Sequence, residues 1–213
     1  ERLGLRPKAL QAIPNGIRHR PGVRESFRRE IGIGDAELLI LAAGSLRPNK
    51  GHRLLIEALA ELAADAELPA YHLAIAGWGP EQETLEHLAR EKGLNGHFSL
   101  LGQREDIPDL LAAADVFAMP SYSEGLPVAL PEAVFAGKAI VASSVGGIPG
   151  TVESELEALL TPPGDPRAIA DALRQLLLDP GQRARLGAAA HRKAESTFRI
   201  ERMADAYEAL YRS

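Results

Sequence analysis

Six short apolar runs alternate with amphipathic stretches along this chain. ELLILAAG (37–44) is continuously apolar, and the segment 51–65 then carries Leu54, Leu55, Ala58, Leu59 and Leu62 at helical spacing. YHLAIAG (71–77) reads as a second strand and 80–92 as a charged amphipathic helix. HFSLLG (97–102), DVFAMPS (115–121), KAIVASS (138–144) and EALLTPP (157–163) read as further strands, with helices expected over 106–113, 127–136 and 165–178. Near-continuous apolar strands separated by helices predict a parallel sheet covered on both faces. The expected fold is one doubly wound, Rossmann-like α/β domain of about six strands. Ligands of such sheets lie beyond the strand C-termini. The turns at 44–51, 77–80, 102–106, 121–127 and 144–150 all follow strands, so they share one rim.

The two ends stand apart from that pattern. Residues 1–22 contain AIPNGI and a Pro21-Gly22 pair, a turn-rich segment. After Asp179-Pro180-Gly181 the pattern predicts two more helices, 181–196 and 199–211. Ile200, Met203, Tyr207, Leu210 and Tyr211 form an apolar stripe on the last, which either covers its own domain or reaches toward another. The chain has 213 residues, enough for a real core. It begins with Glu1 rather than Met, so it is expected to be a piece of a longer protein. A net charge of −5 argues against a nucleic-acid surface. No apolar run approaches a membrane span and no signal peptide is visible, so membrane association is expected only through a missing part. Cysteine is absent, which excludes disulfides and thiolate metal sites and fits a cytoplasmic location.

The chemistry concentrates on the rim. SYSEGLPVALPEAVFAG (121–137) places Glu124 and Glu132 eight positions apart. Gly125 suits an unusual turn and Pro127 the first position of a helix, whose N-terminus favours phosphate. On one helix, eight positions would set Glu132 roughly beneath Glu124, letting the pair grip two hydroxylated parts of one ligand. The alternative is a helix that happens to carry two glutamates. AGSLRPNKGH (43–52) brings Arg47 and Lys50 within reach of a phosphate. It lacks the Gly-Lys-Ser/Thr of a Walker loop. GWGPEQ (77–82) has Gln82 where a dinucleotide fingerprint needs its third glycine, and a tight turn alone explains Gly77 and Gly79. Trp78 is either a stacking surface for a base or simply exposed. His52 reads as a polar residue at a helix start. The six histidines show no ligand spacing and no Asp-x-Asp pair occurs, so no metal and no cofactor are expected.

Taken as a set, these turns resemble the donor-binding, C-terminal half of a GT-B glycosyltransferase of the retaining family-four kind (glycosyl transferases group one). The resemblance rests on IPNGI (13–17), Lys50-Gly51-His52 with LLIEALA after it, GWGP, the Glu124-x7-Glu132 segment, VGGIP (145–149), PPGDP (162–166) and the closing Tyr-Glu-Ala-Leu-Tyr. It covers the whole chain in order. It implies an interdomain segment at 1–22, a nucleotide-sugar-binding domain at 23–198, and a helix at 199–213 that packs on a missing N-terminal, acceptor-binding domain.

The same resemblance implies roles. Lys50 would meet the donor diphosphate, Glu124 the transferred sugar and Glu132 the ribose hydroxyls, with the backbone N–H groups at 125–128 beside sugar and phosphate. Lys50, Glu124 and Arg47 form the expected catalytic set. Ser45, Gly77, Trp78, Gly79, Arg104, Gly125, Leu126, Pro127, Val128 and Glu132 form the expected donor-binding set. Three positions depart from the family pattern. Ser45 stands where an arginine is usual, leaving Arg47 as the candidate substitute. Pro131 precedes Glu132 within the expected helix, where it would remove a backbone bond and bend it. Gly150 replaces the glutamate that usually follows GGIP. The competing readings are a nucleotide-sugar epimerase, which the Glu-x7-Glu segment tells against, and a non-catalytic nucleotide-sugar-binding module. Donor sugar, base and acceptor are not legible.

Overall fold

The structure is a computed structural model that describes residues 13–125 and 127–212. The expected segment 1–12 and Leu126 therefore lie outside the described residues. In chain order the elements are α1 (Arg24–Glu30), β1 (Leu38–Ala43), α2 (His52–Leu62), β2 (Tyr71–Ala76), α3 (Gln82–Glu91), β3 (Phe98–Leu100), α4 (Ile107–Ala113) and β4 (Val116–Met119). Then follow α5 (Ala129–Phe135), β5 (Ala139–Ser143), α6 (Ile148–Thr151), β6 (Leu159–Thr161), α7 (Pro166–Leu178), α8 (Pro180–Thr197) and α9 (Ile200–Arg212). The strands form one parallel sheet in the order β3-β2-β1-β4-β5-β6.

Pleating explains why the strands read as unbroken apolar runs. Successive side chains point to opposite faces, and both faces of this sheet are covered. Ile40 and Ala42 of β1 join α2, α3 and α7 in one core layer, with Leu55, Leu59, Leu85 and Leu173 fully enclosed. Leu39 and Leu41 join α1, α4, α5 and α8 in the other, around Phe27, Phe117 and Phe135. Two of the covering helices start where Asp-Pro pairs stand. Asp165 accepts from the Ala168 N–H at 3.0 Å and Asp179 from the Gln182 N–H at 2.8 Å, with Pro166 and Pro180 opening the helices.

Helix α1 was not signalled by periodicity, because RESFRRE holds a single apolar residue. Phe27 anchors it, and the buried Arg28 donates to the carbonyls of Ala113 at 3.0 Å and Gly34 at 2.7 Å and pairs with Asp115. Helix α5 begins at Ala129, not at Pro127. Pro131 is thus its third residue, where no intrahelical N–H bond exists to be lost, and the expected bend has no cause.

Ile17 N–H donates to the Phe198 carbonyl at 2.8 Å and Gly16 N–H to Met203 Sδ at 3.1 Å, tying the segment before α1 to the α8–α9 junction. None of the residues of α9 is buried. Its stripe leaves Tyr207, Leu210 and Tyr211 43%, 47% and 86% exposed. The stripe therefore does not cover the sheet of its own domain. No helix among the described residues is long and apolar enough to cross a membrane.

Candidate functional site

Strand order reverses between β1 and β4: the chain runs from β1 toward β2 on one side and from β4 toward β5 on the other. The loops leaving these two strands diverge and open a crevice, the usual place for a ligand in an open α/β sheet. Here it is a cleft of about 560 Å³, walled by the turns after β1, β2, β3 and β4 and the first turn of α5. Tyr122 N–H donates to the Asn49 carbonyl at 2.9 Å and stitches the two central loops together.

Lys50 closes the short 3₁₀ turn Pro48–Lys50 and sends its ammonium into the cleft. Its Nζ donates to both oxygens of Glu124, at 2.7 and 2.9 Å, and the Ser121 hydroxyl donates to Oε1 of the same carboxylate at 2.7 Å. Only 5% of the Glu124 side chain is exposed, so its charge is neutralised by these two donors rather than by water. Gly146 holds the Glu124 turn from below. Its φ is +51°, and a Cβ there would fall 1.7 Å from the Glu124 carbonyl oxygen. Gly147 N–H then donates to the Gly125 carbonyl at 3.1 Å. Thus the VGGIP turn supports the glutamate, while Gly125 itself has no left-handed backbone.

Glu132 lines the same cleft from α5. It does not sit beneath Glu124 on one helix, because Glu124 lies in the loop and α5 starts later; the loop brings both into one cavity. Among the described residues the Glu132 carboxylate has no hydrogen-bond or ion-pair partner. Burial pushes its carboxyl up from the usual range.

Other expected residues divide. Ser45, Gly77, Trp78, Arg104, Pro127 and Val128 line the cleft. Trp78 is 70% exposed at its edge. Gly79 is packed instead against the Leu46 backbone, where a Cβ would meet the carbonyl oxygen at 2.5 Å, and the missing Cβ of Gly77 leaves room for the Gly44 carbonyl. Gly125 is exposed and outside the lining, and Pro127 has no N–H, so the row of free N–H groups expected at 125–128 is interrupted. Arg47 is exposed and does not line the cleft. Gly150 is exposed with open space around it.

Arg104 reaches the cleft wall with its guanidinium already engaged. Nε and one terminal nitrogen hold Asp106 at 2.8 and 2.7 Å, and the terminal nitrogens hold Glu30 at 2.5 and 2.9 Å, over the Phe27 ring. Hydrogen bonds from Arg104 keep the Glu30 and Asp106 carboxyls below their ordinary range. Ser121, Gln103 and Ile107 were not anticipated. A hydroxyl three residues before a glutamate was the available signal for Ser121. His52 does open α2, but it is buried there, 3% exposed. Burial above all pushes its imidazole down to about 4, so it is neutral at ordinary pH.

A second cavity of about 410 Å³ adjoins the cleft, shares Glu132 and Ile107 with it, and lies between α4, α5 and residues 17–22. His19 stacks on Phe135 there with ring centroids 5.4 Å apart. Lys138, its amine donating to the Ala112 and Ala114 carbonyls, is pushed down to about 8 by burial.

Known proteins share the sequence and fold of this chain. A D-inositol 3-phosphate glycosyltransferase of Saccharomonospora viridis is 32% identical over 218 residues, covering 97% of this chain and 50% of that protein. A GDP-mannose-dependent alpha-(1-6)-phosphatidylinositol monomannoside mannosyltransferase of Mycolicibacterium smegmatis is 35% identical over 195 residues, covering 85% of this chain and 50% of that protein. The chain thus spans about half the length of the curated relatives it matches. The crystal structure of Anabaena Alr3699/HepE in complex with UDP superposes with a TM-score of 0.80 at 26% identity, over 89% of this chain and 52% of that one. Residues 23–193 match the family described as glycosyl transferases group 1. With its six-stranded parallel sheet and its coverage of one half of longer relatives, the chain belongs to the glycosyl transferases group 1, proteins of GT-B architecture.

Proposed function

We propose that this chain is the donor-binding half of a retaining glycosyltransferase that takes its sugar from a nucleoside diphosphate sugar. The observation that carries the reading is the convergence of Lys50, Glu124 and the unpaired Glu132 on one cleft at the switch point of the sheet. Relatives whose names or structures specify GDP-mannose or UDP support a nucleotide-sugar ligand.

In this reading the diphosphate draws the Lys50 ammonium from Glu124 and lies against the turn after β1. A preorganised cation there stabilises the charge that develops on the leaving diphosphate. Glu132 accepts from the ribose hydroxyls, and Glu124 faces the transferred sugar. The C1–O bond to the phosphate breaks, the acceptor oxygen bonds to C1 on the same face, and the acceptor proton passes to the leaving phosphate. The sequence has no Asp-x-Asp pair, and the proposal assigns the diphosphate to side chains rather than to a metal. The exposed stripe of α9 and the segment 13–22 beside it would meet the acceptor-binding half of the complete protein.

Calorimetric titration of the 213-residue chain with UDP, GDP and their free nucleosides tests the reading. Saturable binding of a diphosphate that Glu132→Ala abolishes or weakens supports it. Diphosphate binding that ignores Glu132 and Lys50 would place the ligand elsewhere and overturn it.

A further inference from the structure

His52 is the first residue of α2, directly after Gly51 in a left-handed conformation that turns the chain inward. Neither imidazole nitrogen has a hydrogen-bond partner of good geometry, although the ring is buried. The backbone of Ser45 and Gly44 and the charges of Lys50 and Glu124 act on the ring. A cavity of about 10 Å³ is lined by His52, Lys50, Ser121 and Glu124 among others. That is close to the least space that holds one water, and the site offers the two to four polar partners a buried water needs. A buried polar side chain in such a place asks for an explanation, because an apolar residue of the same size would pack without the desolvation cost.

We propose that His52 is a positioning residue for the donor site: its neutral imidazole spans from the Gly44–Ser45 turn to the Lys50–Glu124 pair, across a single internal water. One ring nitrogen faces the backbone of the turn that walls the cleft. The other faces the cavity, where the water relays to the carboxylate and the Ser121 hydroxyl. Lys50 then leaves Glu124 for a diphosphate without the turn or the carboxylate shifting. The inference rests on the donor-site reading above and adds the residue that holds its parts in register.

The test compares His52→Leu and His52→Asn with the parent chain by thermal unfolding and by titration with UDP and GDP. His52→Leu is expected to be at least as stable as the parent, because it removes a buried polar group, yet to bind the diphosphate about tenfold more weakly or worse. His52→Asn, which keeps both a donor and an acceptor, is expected to recover most of that loss. A His52→Leu chain that binds within twofold of the parent would show a packing role only and overturn the proposal. Should that variant fail to fold, the parent decides by long-range ¹H–¹⁵N spectra of its imidazoles. The His52 resonances are expected to move on saturation with UDP or GDP, and their standing still overturns the proposal. If neither diphosphate binds the parent, the donor-site reading fails separately. The His52 spectrum of Lys50→Met then decides, with an unmoved ring counting against the inference.

Discussion

The Cβ that Gly146 lacks would fall 1.7 Å from the carbonyl oxygen of Glu124, so two loops 22 residues apart meet with no room for a methyl group. The contact is backbone against backbone, and the φ of +51° adds strain for any L side chain. Gly146→Ala is therefore expected to cost more than the roughly 1 kcal/mol of an ordinary glycine replacement and to displace the Glu124 turn. Denaturant unfolding reads the first effect and diphosphate titration the second. Wild-type values for both would mean that the two loops separate freely.

Lys50→Ala removes the only cation paired with Glu124 among the described residues and leaves a carboxylate that is 5% exposed without its counter-charge. Two losses are expected together: lower stability, as for any half-removed buried pair, and a loss of UDP or GDP affinity of about 1.5–3 kcal/mol, roughly ten- to a hundredfold or more. Glu124→Gln should retain most stability and bind a plain diphosphate at least as well as the parent, because Lys50 is then uncontested. Equal losses of diphosphate affinity in both variants would contradict this division.

Burial raises the Glu132 carboxyl above its ordinary range, so the folded chain holds that proton to higher pH than the unfolded chain does. Stability contributed by the neutral form is present below the ordinary carboxyl range and is lost as pH rises through the raised value. Glu132→Gln is accordingly expected to melt higher than the parent at neutral pH while binding nucleotide more weakly. A melting temperature that falls at neutral pH would show that the carboxylate has a stabilising partner.

Ser45 lines the cleft, where the described lining cations Lys50 and Arg104 are both already paired, and Arg47 is exposed outside that lining. Arg47→Ala is expected to bind diphosphate within a factor of two of the parent. Ser45→Arg should bind it more tightly, with a gain that shrinks as salt screens the new charge. A large loss in Arg47→Ala would mean that the turn swings Arg47 inward when the ligand arrives.

The 213-residue chain is expected to fold cooperatively and to transfer no sugar, because it spans about half the length of the relatives it matches. Incubation with nucleotide sugars and a panel of polyol and sugar acceptors checks this by product mass. Any glycosylated acceptor would refute the division into two halves.

The strands were legible because burial on both faces leaves each with an uninterrupted apolar spelling, as in Leu38–Ala43 and Ala139–Ser143. The rim was legible for the same reason, since every loop that follows a strand lands on one side of a parallel sheet. Helix α1 was not, because Phe27 alone anchors a charged stretch whose Arg28 is buried through partners far along the chain. Pairings such as Arg104 with Glu30 or Lys50 with Glu124 span 74 positions each and leave no periodic trace. Glu132 does not fall beneath Glu124 for a local reason: Pro127 looks like a helix start, but the backbone enters α5 two residues later. The burial of His52 is not legible because a histidine at a helix start is ordinarily solvated, and the left-handed Gly51 just before it leaves no periodic trace.

Lys50 is closed on Glu124 by two short contacts, and any anion seeking that ammonium must displace a rival already tethered to the protein. A tethered group competes as if it were present at millimolar concentration or more. A lone orthophosphate, sulfate or monophosphate offers one weakly held charge and meets that rival on unequal terms. In the proposed donor complex a diphosphate would chelate, and a ribose held at Glu132 would raise its local concentration to compete with that of the carboxylate. Discrimination against the small anions that abound around any such protein would then come from an occupant built into the chain, not from the shape of the cleft.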